Sequence, residues 1–226
     1  MRNSVKSLET IETRVVAAGD TLGLNVSRET LDKILCYVEQ LQKWNRTYNL
    51  TAIRNLDDIL VNHIFDCMSV VPAITHKADN KPFTIVDVGS GAGLPGLILA
   101  LWFEACEVIC IDTVDKKTSF IRHVSGRMGC KNVKALHARV EELESLNARF
   151  VISRAFSSLT DFTHLAGHHC SDSGLMASMK ATQVQDDIAQ LDASESDWSV
   201  ESLERLSVPE NKAERYLVWL HRKQRT

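Results

Sequence analysis

The chain has no run of about 18 apolar residues, so no membrane-spanning helix is expected. Residues 1–7 lack an apolar core of signal-peptide length, which points to the cytoplasm and away from a membrane. None of the six cysteines stands in a Cys-x-x-Cys pair; Cys36, Cys67, Cys106, Cys110, Cys130 and Cys170 are scattered through expected core elements. That spacing argues against zinc and for reduced thiols acting as small buried hydrophobes. His168-His169-Cys170 is the one cluster that invites a metal, but it has no partner at ligand spacing, so no metal site is expected. No Gly-Lys-Ser/Thr closes the glycine-rich stretch, which excludes a P-loop. The net charge is only −3, so any polyanion binding must come from a local patch.

What is present is organised around residues 83–96, Phe-Thr-Ile-Val-Asp-Val-Gly-Ser-Gly-Ala-Gly-Leu-Pro-Gly. Residues 83–88 form a short apolar run rich in β-branched side chains, as a buried parallel strand requires. Gly89, Gly91 and Gly93 follow at every second position, and residues 94–103 read as a helix with Pro95 in its first turn. Such a turn lets the backbone approach a ligand and is expected to aim free N–H groups from the helix end. Asp87-x-Gly89-x-Gly91-x-Gly93 resembles the cofactor loop of S-adenosylmethionine-dependent methyltransferases. The same residues spell Gly91-x-Gly93-x-x-Gly96, the dinucleotide fingerprint, so NAD stays open at this point.

With 226 residues, 44% of them hydrophobic, the chain suits one generous domain or a domain with a helical cap. Residues 1–76 look helical: a weak helix over 8–18, a second carrying Leu31, Ile34, Leu35, Val38 and Leu41 behind a Ser27 cap, and a third over 57–73. Residues 44–51 break the periodicity, and the polar residues 76–82 form a boundary. From residue 83 strands (107–111, 132–136, 149–153, 174–179) alternate with helices (115–128, 140–146, 159–169). The segment 183–204 is acidic and poorly patterned; strands are expected over 197–206 and 215–220. Alternation predicts a parallel α/β sheet with right-handed crossovers, with an antiparallel hairpin at its edge. The domains are therefore drawn as 1–76, helical and packed on the core, and 77–226, Rossmann-like.

Asp112 ends the second strand about twenty residues beyond the glycines, where a carboxylate meets the ribose of an adenosine ligand; the alternative is a helix N-cap. The span 116–139 carries Lys116, Lys117, Arg122, Arg127, Lys131, Lys134 and Arg139 with no acidic residue, so it reads as a basic face for RNA rather than an ordinary solvated helix surface. Val140 and Glu141, after the third strand, are placed to meet an adenine ring. Arg154 follows the fourth strand, at the rim where open sheets bind ligands; it binds a carboxylate or phosphate, or else pairs with Asp87 or Asp112.

Taken together, these segments resemble the glucose-inhibited division protein B family. The matching residues are Trp44-Asn45, Asn49-Leu50-Thr51-Ala52-Ile53, His63 with Asp66, residues 86–96, Asp112-Thr113 with Lys116-Lys117, Arg139-Val140-Glu141-Glu142, Ser153-Arg154-Ala155, Met179-Lys180 and Glu214-Arg215. They span nearly the whole chain in one order. The resemblance implies a Rossmann-like class I methyltransferase sheet with a small helical N-terminal region. It implies S-adenosylmethionine as cofactor and N7 of a guanine in 16S ribosomal RNA as the methyl acceptor. It also implies that Gly89, Leu94, Val140, Glu141 and Arg154 hold the cofactor, alongside Gly91, Gly93 and Asp112 from the motif. Lys116, Lys117, Arg122 and Arg139 are expected to contact RNA, as naked rRNA, the small subunit or an assembly intermediate. Asn49, His63, Arg154 and Lys180 are candidates for orienting the base; Asn49 as a turn cap and His63 as a packing residue are the plainer alternatives. Two positions depart from the family pattern: Cys67 stands in place of Ser and Ala181 in place of Gly. An NAD-dependent oxidoreductase and a non-catalytic RNA-binding module remain as other readings. Oligomeric state is open, with a monomer favoured.

Overall fold

A computed structural model of the chain describes residues 2–79, 81–181 and 184–223. Asn80, within the expected boundary, and Gln183, where the acidic stretch was expected to begin, lie outside them. Helix α1 (Arg2–Leu22) and α2 (Arg28–Tyr48) open the chain, and the Ser27 hydroxyl accepts from the Thr30 amide as the N-cap of α2. α2 ends at Asn49, whose left-handed backbone (φ 49°) closes the helix. The expected third helix is not continuous: α3 (Leu56–Ile59) passes into a π-helical turn (Leu60–Phe65), then α4 (Asp66–Met68) and α5 (Val71–Lys77). By length and composition the helical run Leu56–Lys77 could cross a bilayer, which the sequence alone did not lead us to expect. Of its apolar window, 72% is packed inside the fold.

The remaining elements are β1 (Thr84–Val88), α6 (Gly96–Trp102), β2 (Glu107–Asp112), α7 (Asp115–Met128), β3 (Val133–His137), β4 (Ala148–Ser153), α8 (Leu159–Ala166), β5 (Cys170–Lys180), α9 (Val184–Asp192), β6 (Trp198–Arg205) and β7 (Tyr216–Arg222). One seven-stranded sheet runs β3-β2-β1-β4-β5-β7-β6. β1 to β5 are parallel, and β7 lies antiparallel between β5 and β6. The order reverses between β1 and β4, and that reversal places the site.

Side-chain alternation along the strands divides the interior in two. Ile85, Val108, Cys110, Phe150, Ile152, Ala177 and Trp219 face the N-terminal helices, α6 and α7. Val86, Ile109, Ile111, Val151, Met176, Val218 and Leu220 face α8 and α9. Ile11, Val15, Ile34, Tyr37, Leu41 and Leu60 belong to the same apolar cluster as the first set, so the N-terminal helices share the core of the sheet. All six thiols are free. α9 was not expected: its first turn is acidic and only Val184 and Leu191 are buried, too few to make a readable stripe.

The corner between α6 and β2 is held from a distance by Asn132, whose amide nitrogen donates to the carbonyls of Ala100, Phe103 and Cys106 at 3.1, 3.2 and 3.1 Å. Asn132→Ala removes a donor that three part-buried carbonyls share, of which Phe103 keeps the Cys106 amide. It should cost about 2 kcal/mol, seen as a fall of roughly 4 to 8 °C in Tm for a chain of this size; an unchanged Tm would mean the corner holds without it.

Candidate active site

The carboxyl ends of β1 and β4 are tied together by the Ser153 hydroxyl, which donates to the Val88 carbonyl at 2.7 Å. The chain then turns through residues 89–95, with Gly89, Gly91 and Gly93 at φ 70°, 58° and 85°. A Cβ at Gly89 would stand 2.7 Å from that of Ala155 across the rim, so only glycine lets the two strand ends close up.

The N–H groups expected to point at a ligand are bonded internally. Gly89 and Ser90 donate to the Ile111 carbonyl, Gly93 and Leu94 to that of Ser90, Gly91 to Asp112 and Gly96 to Asp87. Helix α6 also starts two residues later than expected, at Gly96. A Cβ at Gly93 would strike Leu97 and Ile121, and one at Gly96 would strike Cys110 and Asp87, so these two glycines serve internal packing. Leu94 is buried with them at 2% exposure.

Above the turn lies a cleft of about 360 Å³ lined by Gly89, Asp112, Val140, Glu141, Ala155 and Phe156, among others. Asp112 Oδ2 accepts from the Gly91 amide at 2.9 Å and from Lys117 at 3.4 Å; Oδ1 accepts from the Val114 amide at 2.9 Å and keeps a second lone pair. Asp112 thus caps the turn into α7 and lines the cleft at once. The residues fit an adenosine. Val88, Ile111, Val140 and Phe156 offer apolar walls, and Asp112 and Glu141 supply acceptors for hydroxyl or amino protons.

Val140 and Glu141 sit in a single 3-10 turn (Val140–Glu142), shorter than the helix expected over 140–146. It is held by His169, which the sequence singled out only within a cluster set aside as a metal site. The Leu146 amide donates to His169 Nδ1 at 3.3 Å, so Nε2 carries the proton and donates to the Val140 carbonyl at 2.8 Å. Burial lowers the pKa of this ring and favours the neutral form. No local pattern announces a contact across 29 residues.

Arg154 lies on the other side of the rim, in a second cleft of about 360 Å³ shared with Asp66, Lys180, Arg215 and Tyr216. Its partner is neither Asp87 nor Asp112. Asp66, 3% exposed, accepts from Arg154 on Oδ2 and from Arg215 Nε on Oδ1, both at 3.2 Å. Arg154 also donates to the Asn62 carbonyl at 3.0 Å. His63 Nδ1 lies 3.0 Å from that carbonyl, which can only accept, so Nδ1 carries the proton and Nε2 accepts from the Thr51 hydroxyl at 3.0 Å. Thr51 is anchored in turn by its amide to Asn45 Oδ1 at 2.9 Å. The π-helical turn brings Asn62, His63 and Asp66 to the rim together.

Two base-orienting candidates are bonded to other groups. Lys180 donates to the Phe156 and Ser157 carbonyls at 3.1 and 2.9 Å and pairs with Asp187 at 2.7 Å, so its ammonium is spent on holding the loop after β4. Asn49 is the exposed C-cap of α2, with Oδ1 accepting from Arg54 at 2.6 Å. The acid-free span 116–139 is partly neutralised by residues outside it. Lys117 pairs with Asp112, Lys134 with Glu107 and Arg139 with Glu141 and Glu142; Lys117 and Arg139 also line the first cleft. Lys116 and Arg122 stay exposed. Cys67 is fully buried and its thiol pKa is pushed up by burial; Ala181 lines the second cleft at its exposed rim.

A family model, GidB, described as rRNA small subunit methyltransferase G, matches residues 30–218. A ribosomal RNA small subunit methyltransferase G of Bordetella petrii is 44% identical over 94% of this chain and 84% of its own. The protein of that name in Bordetella pertussis is 45% identical over 93% of each chain. Among solved structures, a SAM dependent methyltransferase from Aquifex aeolicus superposes with a TM-score of 0.54 at 15% identity, covering 72% of this chain and 92% of its own.

Two buried groups at the rim give the fold an opposed pH response. His63 is brought down to about 4 from 6.5 by burial and then by the Arg154 charge. Between those values the unfolded chain holds the extra proton, so stability falls as pH falls. Asp87 is pushed up to about 7 from 3.8 by burial, against the Gly96 N–H bond. Between those values the folded chain holds the extra proton, so stability falls as pH rises. In Asp87→Asn the urea midpoint should therefore climb with pH from about 4 to about 6.5 more steeply than in the parent chain, and in His63→Gln it should decline over the same range. Three parallel pH profiles would refute both assignments.

Proposed function

The chain belongs to the rRNA small subunit methyltransferase G family, and on that premise we propose that it transfers a methyl group from S-adenosylmethionine to N7 of a guanine in 16S ribosomal RNA. The observation that carries this reading is a pair of clefts meeting across residues 154–155. One has apolar walls and two acceptor carboxylates; the other is rimmed by Arg154 and Arg215.

In this reading Gly89, Val140, Asp112 and Glu141 would hold the cofactor's adenosine, Val140 through apolar contact and the two carboxylates as acceptors for its hydroxyl or amino protons. Gly91 acts through Asp112, and Gly93 and Leu94 act from beneath by fixing the turn. Bound there, the cofactor supplies a methyl group on a sulfonium, whose charge passes to the base as the methyl moves. Neutral guanine carries an in-plane lone pair on N7, so no side chain need remove a proton. Catalysis rests on holding base and methyl donor in line at near-attack distance. Arg154 suits that task, because Asp66 and the Asn62 carbonyl fix its NH1 and leave NH2 for the nucleotide. His63, kept neutral, orients Thr51 and the segment after α2 without adding charge near a developing cation. From residues 1–76, Ile53, Asn62 and Asp66 line the acceptor cleft, and the cofactor cleft is lined wholly from the described part of residues 77–226. An rRNA substrate puts the work where ribosomes are built.

Methyl-labelled cofactor incubated with small-subunit rRNA, both protein-free and assembled, should label one guanine at N7. Absence of label from both forms would sink the reading. Gly89→Val should weaken cofactor binding by about tenfold or more, through the left-handed backbone and the contact with Ala155, while the circular dichroism spectrum is retained. Parent-like affinity would show that the cofactor does not pass over Gly89.

A further inference from the structure

Two stretches without an acidic residue meet at one corner of the molecule. Residues 40–56 contain none, and neither do residues 116–139. They are joined where Lys116 donates to the Tyr48 carbonyl at 2.9 Å, and where Trp44 packs on Phe120 and His123 with ring centroids 5.5 and 5.2 Å away. The joint uses up little of the charge. Among the described residues, Arg46, Arg54, Lys116 and Arg122 have no carboxylate partner.

Tyr48 stands on this corner 45% exposed, one of two large apolar side chains so open among the described residues. Its ring is backed by Trp44 at 5.0 Å and its carbonyl is held by Lys116, so the exposed ring is also a fixed one. On a neighbouring face of α2, one turn or less along the helix, Arg46 and Arg54 line a cleft of about 190 Å³ with Gln42, Asn45 and Ile59, and no carboxylate enters the lining. Arg54 is steered by Asn49, whose Oδ1 takes one of its N–H groups.

We propose that this corner is a separate RNA subsite, in which Tyr48 stacks on an unpaired base flanking the methylated guanine and the Arg46–Arg54 cleft grips a neighbouring phosphate. A backed aromatic ring offers a π-face that any nucleobase can use, and paired guanidiniums match a phosphate in shape and charge. An acidic peptide would use the cations and leave the ring idle. The location fits a flanking nucleotide. Residues 49–51 lead from Tyr48 to Thr51 and its partner His63 beside the acceptor cleft, and Lys116 adjoins Lys117 on the wall of the cofactor cleft.

The proposal rests on the methyltransferase reading, and the test separates the two. Binding is measured to protein-free 16S rRNA transcript and to assembled small subunits lacking the modification, alongside cofactor affinity and methyl transfer. Tyr48→Ala should weaken binding to the transcript about tenfold, and Tyr48→Phe should restore it. Both should keep parent-like cofactor affinity. Arg46→Gln combined with Arg54→Gln should make the salt dependence of log Kd shallower by about one, as expected for one or two lost phosphate contacts. The subsite is refuted if Tyr48→Ala binds like the parent, if phenylalanine fails to rescue, or if cofactor affinity falls in step. It is refuted too if the variants lose affinity only for assembled subunits, which would make the partner a ribosomal protein. Absence of methyl transfer by the parent enzyme would instead bring down the functional reading, and this subsite with it.

Discussion

Two buried carboxylates grip the turn after β1 from opposite sides: Asp87 from below, through the Gly96 amide, and Asp112 from the rim, through that of Gly91. Everything at the cofactor edge depends on that grip. Because the amides of residues 89–91, 93, 94 and 96 are spent within the fold, the turn offers a shape rather than a row of donors. The four glycines divide the labour. Gly89 keeps the rim thin against Ala155, Gly91 takes a left-handed backbone, Gly93 clears Leu97 and Ile121, and Gly96 lets α6 settle onto Cys110 and Asp87. Burial raises the pKa of Asp87 to about 7, which reflects how far this carboxylate has been taken from water to serve as a backbone anchor.

Asp66 does the corresponding work on the acceptor side. Its carboxylate joins an N-terminal helix to Arg154 after β4 and to Arg215 before β7, across 88 and 149 residues. Removing one partner of such a buried ion set costs on the order of 3 to 5 kcal/mol, because the others keep their charge without compensation. The N-terminal helices are therefore a wall of the site as well as part of the core, and the π-helical turn is what lets Asn62, His63 and Asp66 reach the same edge.

Much of this was legible in the residues. The β-branched runs marked the parallel strands, the late pair of strands gave the antiparallel edge, and Gly89, Asp112, Val140 and Glu141 meet at one cleft as their spacing implied. Other features were not. α9 is too polar to show a stripe, and the interruption at Leu60–Phe65 leaves no signature in an otherwise helical pattern. The acid-free span 116–139 looked like one basic face, yet Asp112, Glu107 and Glu141 discharge much of it from neighbouring elements. Lys180 looked available and is consumed by Phe156, Ser157 and Asp187.

By itself the amino-acid order determined the class of fold, the site's place in it and the family pattern. All of these rest on local periodicity and on a turn whose backbone only glycine adopts easily. The tertiary structure alone decided who pairs with whom. It gave Arg154 to Asp66, turned the helix-end amides inward, and brought Tyr48 to Lys116. Charge pairing, burial and cleft shape depend on distances between residues far apart in the chain, and these exist only once the two faces of the sheet have been covered.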